Sequence, residues 1–308
     1  MKLNRRTGLN WARHADTARF YFRERAGDEL RLGQALDSGR PLAAGKIGTT
    51  ELMVLEFFDR YLQLPWPARS SWRRPAQRLC ECSGFFPVQR SLFKSWHRTY
   101  LDSLAQMDFL AQWQTPGTYL SGYEACALRD YAAQAQRVLL AALHPVHPPA
   151  SWLPSLCKKS WLVIHPFGQT IRHQLNRLGE LGVYPETCRE YLPRIRETCR
   201  VLPCPQFSYM VPPRHRDWFH ALEDLRQGME RENFDILLVG AGAWSLPLAV
   251  HAKRLGKQAL HLGGQLQLLF GIQGGRWDKS RLYNDAWTRP LPEDRPPNFH
   301  LMEQGAYW

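Results

Sequence analysis

FDILLVGAGAWSLPLAVHAKRLGKQALHLGGQLQLLFGIQGGRW, residues 234 to 277, is the stretch whose reading decides the fold. The apolar run Ile236 to Val239 cannot alternate with water, so Asp235 to Val239 reads as a strand inside a parallel sheet with both faces covered. A glycine turn follows (Gly240, Gly242), then a helix, a second strand over Gln258 to Leu262, a second glycine turn (Gly263, Gly264) and a further helix. This βαβα unit predicts an α/β, Rossmann-like fold: a mostly parallel sheet with helices on both faces.

Glycine after such a strand allows a sharp turn and leaves the amides of the next helix open to an anion. In open α/β sheets ligands collect beyond the carboxyl ends of the strands, which places Gly240, Gly242, Ser245, His261, Gly263, Gly264 and Gln265 near a binding edge. A phosphorylated ligand is expected there. The competing explanation is that the glycines only close tight turns. A dinucleotide site is disfavoured, because Ser245 stands where a third glycine would be and no acid ends the second strand to hold a ribose.

Working outward, the same pattern recurs earlier. Leu42 to Gly48 is a short strand ending on glycine, followed by Thr49-Thr50-Glu51 and a helix marked by Leu52, Leu55, Phe58 and Leu62. Glu51 has two explanations: capping of the helix N-terminus, or a carboxylate facing the ligand as general base or as ligand of a hard divalent metal. Ser160 to His165 is a buried strand running into Pro166, Gly168, Gln169 and Thr170 before another helix. His165 would touch phosphate or a sugar hydroxyl, or be satisfied by backbone at the sheet edge.

Other helices are read over residues 10 to 36 (Trp11, Ala15, Ala18, Phe22), from Leu92 to Met107, over Tyr131 to Ala142, and from Asp217 to Met229. Residues 63 to 82 read as an irregular surface segment, and Val201 to Cys204 as a less distinct buried element. The Pro-rich connector 144–154 is where two lobes would meet within a single domain spanning 1–308. The aromatic-rich C-terminal stretch is expected to pack over the body.

The chain has 308 residues and a net charge of +12, a field that draws anions such as nucleotide phosphates or an anionic membrane face. No basic-aromatic repeat, recognition-helix or finger pattern is present, so no specific nucleic acid is expected. Seven scattered cysteines argue against a disulfide framework, and Cys80-x-Cys82 is too tight for a zinc knuckle. Without an apolar N-terminal stretch or a membrane-length run, a cytoplasmic protein is expected.

The four strand-end turns, 46–51, 165–170, 240–245 and 261–265, resemble those of the GT-D-fold glycosyltransferases. That family begins with an Arg-x-Gly-Asp-x-Glu turn, here Lys46-Ile-Gly48-Thr49-Thr-Glu51, and ends with a block like Asp235-Ile-Leu-Leu-Val-Gly-Ala-Gly242, Leu248-Ala249 and Gly256 to Gly263. The resemblance implies a transferase that moves a sugar from a nucleotide-diphosphate donor to a glycan or lipid-linked acceptor in surface-glycan assembly, in the cytoplasm or at the inner face of the membrane. It implies Glu51 as the catalytic residue and as ligand of a Mn²⁺ or Mg²⁺ ion. Lys46, Gly48, Thr49, His165, Gln169, Gly240, Gly242, Ser245, His261, Gly263, Gly264, Gln265 and Arg276 would line the donor site. Thr49 occupies the family's aspartate position, so only Glu51 carries over, and Lys46 or Arg276 is the alternative counter-charge for the leaving diphosphate. Two other functions fit the same residues: a degenerate, non-catalytic transferase fold that binds a glycan, a lipid-linked acceptor or a protein, and an NAD(P)-dependent oxidoreductase.

Overall fold

The computed structural model describes residues 11–61, 72–112, 119–146, 149–205 and 214–308. In chain order the elements are α1 (Trp11–Asp37), β1 (Leu42–Lys46), α2 (Thr49–Tyr61), α3 (Arg73–Ser83), α4 (Arg90–Leu104), β2 (Phe109–Gln112), α5 (Tyr119–Tyr131) and β3 (Gln136–Leu139). They continue with α6 (Leu153–Cys157), β4 (Trp161–His165), α7 (Gly168–Gln174), α8 (Leu192–Thr198), β5 (Arg200–Pro203), α9 (Trp218–Glu230), β6 (Ile236–Val239), α10 (Ser245–Arg254), β7 (Gln258–His261) and α11 (Leu266–Leu269). Short 3-10 turns lie between several of them.

The seven strands form one all-parallel sheet in the order β3-β2-β1-β7-β6-β4-β5, with helices on both faces, as the sequence predicts. Alternate strand residues serve opposite cores. Ala43, Leu162, Ile164, Leu237, Val239 and Ala259 face α2, α3, α4, α5, α9 and α10. Leu42, Ala44, Trp161, Val163, Ile236, Leu238 and Leu260 face α1, α6, α7, α8 and α11. Central strands are apolar on both faces because both faces are covered.

The adjacent strands β4 and β6 send the chain in opposite directions. After β4 the chain crosses one face through α7 and α8 to the edge strand β5. After β6 it crosses the other face through α10 to β7. The carboxyl ends of β4 and β6 therefore part to leave a crevice, the place where a doubly wound sheet accepts a ligand.

Strands on both sides of the Pro-rich connector belong to the same sheet, with Leu42 of β1 opposite Gln258 of β7, so residues 144–154 do not separate two sheets. Trp152 of the connector is buried, and its indole N–H donates to the Ala142 carbonyl at 2.7 Å.

Two expectations are corrected. Tyr131 to Ala142 is not a helix: α5 ends at Tyr131, and β3 pairs with β2 at the sheet edge. The spacing of Tyr131, Ala135, Val138 and Ala142 is shared among a helix end, a turn, a strand and a 3-10 turn. An edge strand exposes one face, and Gln136 and Arg137 keep β3 polar enough to hide its strand signature. Residues 73–82 of the stretch read as irregular belong to α3, with Ala76, Leu79 and Ser83 buried at helical spacing. Pro75 lies in its first turn, where the missing N–H is not needed. Residues 62–71 of that stretch lie outside the described residues, as do the side chains of Trp11, Ala15, Ala18 and Phe22 on α1.

Candidate functional site

The crevice opens into a cavity of about 400 Å³ bounded by the carboxyl ends of β1, β4, β6 and β7. Its chemistry comes from Lys46, Glu51, His165, His261 and Arg276, with Gly48, Thr49, Gly240, Gly242, Gly263 and Gly264 in the wall. Residues separated by up to 230 positions in sequence are thus gathered at one edge, roughly as strand spacing of about 5 Å requires for neighbouring strand ends.

Lys46 is the last residue of β1, and Gly48 immediately precedes α2, its carbonyl accepting from the Leu52 amide at 2.8 Å. Glu51, in the first turn, folds its carboxylate back over Gly48, and a Cβ at position 48 would collide with Oε2. Glu51 accepts from its own amide in the first turn of the helix, and it also lines the cavity. At 5 % exposure its pKa is raised, chiefly by burial, against hydrogen bonds from Ser83 and its own amide and the attraction of Lys46. Burial likewise lowers the pKa of Lys46, and Glu51 is the main opposing influence. The pair sits where both charged forms are costly and each sustains the other.

The glycine bends are tight for reasons that geometry makes plain. A Cβ on Gly240 would lie 2.6 Å from the Gly263 carbonyl oxygen and 2.9 Å from Cδ2 of His165, so the ends of β4, β6 and β7 touch through this residue. Gly242 has φ of +53°, and a Cβ there would meet the Ser83 carbonyl oxygen at 2.6 Å. Glycine meets both demands at once.

His165 and His261 are 4 % and 6 % exposed, and each is fixed by one ring nitrogen. Nδ1 of His165 accepts from the Phe167 amide at 3.0 Å, which leaves its proton on Nε2. Nδ1 of His261 lies 3.2 Å from the Val239 carbonyl, which can only accept, so here the proton is on Nδ1. Burial holds both rings neutral, with pKa values lowered to about 3; for His261 the Lys46 charge acts in the same direction.

Three expected site residues do not line the cavity. Ser245 is wholly buried, and its Oγ accepts from the Ala241 amide at 2.9 Å, closing the turn after β6. Gln169 is exposed; its amide donates to Asp294 Oδ1 at 3.2 Å, while the Thr170 amide and hydroxyl donate to Oδ2 at 2.6 and 2.7 Å. The start of α7, expected to be open to an anion, is thus filled by a carboxylate of the chain itself. Gln265 lies outside the cavity lining and its Oε1 has no partner among the described residues.

Other wall residues were not singled out from sequence. Ser83 at the end of α3 holds Glu51, and outside the lining the Tyr100 phenol is held by the Gly48 backbone near the same carboxylate. Glu303, Tyr307 and Trp308 close the outer side. Arg276 pairs with Glu303 at 2.5 Å and stacks over Tyr307 at 4.3 Å from the ring centre. The aromatic richness of this tail was the available signal, and it indicated packing without indicating where.

A hard divalent cation asks for several oxygen ligands. Here Thr49 offers no carboxylate, Glu51 is committed to Ser83 and its own amide, and an ammonium stands beside it. Among the described residues no group of three or more His, Cys, Asp and Glu side chains is placed to hold a metal. These residues do not fit a Mn²⁺ or Mg²⁺ site. Among them also, no helix is long and apolar enough to cross a membrane. Comparison with protein-family models, with curated proteins and with solved structures finds no match.

Proposed function

We propose that the cavity binds a nucleotide-diphosphate sugar and that the protein transfers the sugar to an acceptor hydroxyl in glycan assembly at the cytoplasmic side of the membrane. The observation that carries this reading is the convergence of Glu51, Lys46 and both late glycine bends on one cavity at the switch point of the sheet. In the proposed step the acceptor oxygen bonds to the anomeric carbon, the bond from that carbon to the diphosphate oxygen breaks, and Glu51 takes the acceptor proton. A carboxylate whose pKa is raised by burial is a stronger base than an exposed one. Lys46 and Arg276 supply the positive charge that a leaving diphosphate needs, and no step requires a metal.

The test is release of nucleoside diphosphate from a panel of nucleotide sugars, with glycan and lipid-linked acceptors. Glu51→Gln keeps the shape and removes the base, so transfer should fall about 100-fold or more. EDTA should leave turnover unchanged. Wild-type transfer by the Gln variant would remove Glu51 from the chemistry, and a strict need for Mn²⁺ or Mg²⁺ would refute the metal-free step.

A second reading is a non-catalytic binder of a glycan, lipid-linked acceptor or protein. Thr49 in place of an acid, and the engagement of Glu51 by Ser83, favour it. Saturable binding without turnover would decide for it. The exposed series Arg90, Lys94 and Arg98 along α4 suits an anionic membrane face carrying such an acceptor. An NAD(P)-dependent oxidoreductase is the weakest of the three, since β7 ends in His261-Leu262-Gly263 with no acid for a ribose.

A further inference from the structure

The two buried histidines present opposite hydrogen-bonding ends to one cavity. Each is anchored through Nδ1, His165 as acceptor and His261 as donor. Among the described residues neither Nε2 has a partner, and neither belongs to the polar atoms that the fold seals away unsatisfied. Both residues line the cavity, on strands that flank β6 from its two sides. The anchors fix the tautomers: Nε2 of His165 carries a proton to give, and Nε2 of His261 carries a lone pair to receive one.

A phosphate oxygen only accepts, and His261 has nothing to give it at Nε2. A hydroxyl both donates and accepts, so, unlike a phosphate oxygen, it can satisfy either ring. We propose that His165 and His261 are hydroxyl-reading residues, His165 donating to one sugar hydroxyl through Nε2–H and His261 accepting from another through Nε2. The division of labour is then clear: Lys46 and Arg276 meet negative charge, and the imidazoles meet the uncharged polyol. Burial keeps both rings neutral across the physiological range, so neither brings a positive charge to a phosphate or switches with pH. This inference rests on the sugar-nucleotide reading for its ligand, but the hydroxyls come either from the ribose or from the transferred sugar.

Asparagine is the discriminating replacement. In His165→Asn the side-chain oxygen can still accept from the Phe167 amide, and in His261→Asn the side-chain NH₂ can still donate to Val239, while each loses the atom that reaches the cavity. Binding is measured by calorimetry with inorganic pyrophosphate, free glucose and mannose, uridine and guanosine diphosphates, their 2′-deoxy forms, and their glucose and mannose conjugates. Each variant should bind the hydroxylated ligand roughly 3- to 10-fold more weakly, the usual worth of one neutral hydrogen bond, and pyrophosphate unchanged. The loss should be the same at pH 5.5 and pH 8. A loss confined to ligands with the 2′-hydroxyl assigns the pair to ribose, and one confined to the conjugates assigns it to the sugar.

Equal weakening of pyrophosphate, or binding that tightens in acid, would make these phosphate-reading imidazoliums and overturn the proposal. So would unchanged affinity of both variants for every ligand. Wild-type protein that binds the free sugars but none of the nucleotides would sink the donor reading alone, and the variants are then compared on those sugars. Discrimination by the wild type between ribose and deoxyribose forms, or between diphosphate and conjugate, needs no variant and keeps the test open if one fails to fold.

Discussion

Replacing Gly242 by Ala tests the geometry that joins the β6 turn to the end of α3. Two costs add there. The positive φ of +53° disfavours an L side chain by about 1–2 kcal/mol. The new methyl would also sit 2.6 Å from the Ser83 carbonyl oxygen, a backbone atom that cannot swing aside, and overpacking of this kind costs about 1–3 kcal/mol. The sum, roughly 2–5 kcal/mol, is a large part of the 5–15 kcal/mol that stabilises an ordinary domain. Gly256→Ala is the control, because its φ is +78° and nothing lies within 4 Å of a Cβ there, so it carries the first cost without the second. Urea unfolding followed by tryptophan fluorescence gives both values. The expected order is wild type, then Gly256→Ala, then Gly242→Ala lower by about 1–3 kcal/mol more. Since Ser83 holds Glu51, the Gly242 variant should also lose ligand affinity while the Gly256 variant does not. Equal destabilisation by the two substitutions would mean that the turn and α3 are not in contact.

The remaining predictions concern charge and capping. Because burial raises the pKa of Glu51, the folded state holds that proton more tightly than the unfolded chain, so its contribution is full below about pH 4.5 and is lost as pH rises through the folded value; Glu51→Gln should flatten this part of a stability-versus-pH curve, and an unchanged slope would contradict the burial. Glu303→Gln removes the carboxylate paired with Arg276, so pyrophosphate should bind several-fold more tightly at low salt and the gain should shrink as salt is added; no gain would mean that Arg276 does not meet the anion. Asp294→Ala deprives the start of α7 of its acceptor and should lower the unfolding midpoint in urea by an amount worth about 1–2 kcal/mol, whereas an unchanged midpoint would deny the cap.

The strands that floor the cavity were legible because a buried parallel strand is a continuous apolar run. Ile236 to Val239 and Trp161 to Ile164 could not be placed at a wetted surface, and the glycine or histidine after each marks where it ends. The β1 turn with Lys46 and Glu51 was legible for the same reason, since both lie within six residues of one strand end. The edge strand β3 was not, because half of it faces water and its apolar spacing mimics a helix. Ser245 and Gln169 sit beside the right turns, yet the turns consume them: Ser245 satisfies Ala241, and the Gln169 amide is taken by Asp294, a residue 125 positions away. No local pattern announces a pairing at that distance. The same limit hid Ser83 and Glu303, which reach the cavity only through tertiary packing.

The pairing of Leu42 with Gln258 in the middle of the sheet has a consequence for how the chain must assemble. Two early ribbons, β1 with its neighbours and β4 with its neighbours, each keep a bare edge until β7 arrives to zip them together, a closure spanning roughly two hundred residues of chain and therefore slow. Until then those edges are templates for other polypeptides. A chain interrupted before residue 258 would carry two sticky half-sheets in place of one sealed molecule, so loss of the late strand should show first as aggregation, ahead of any loss of ligand.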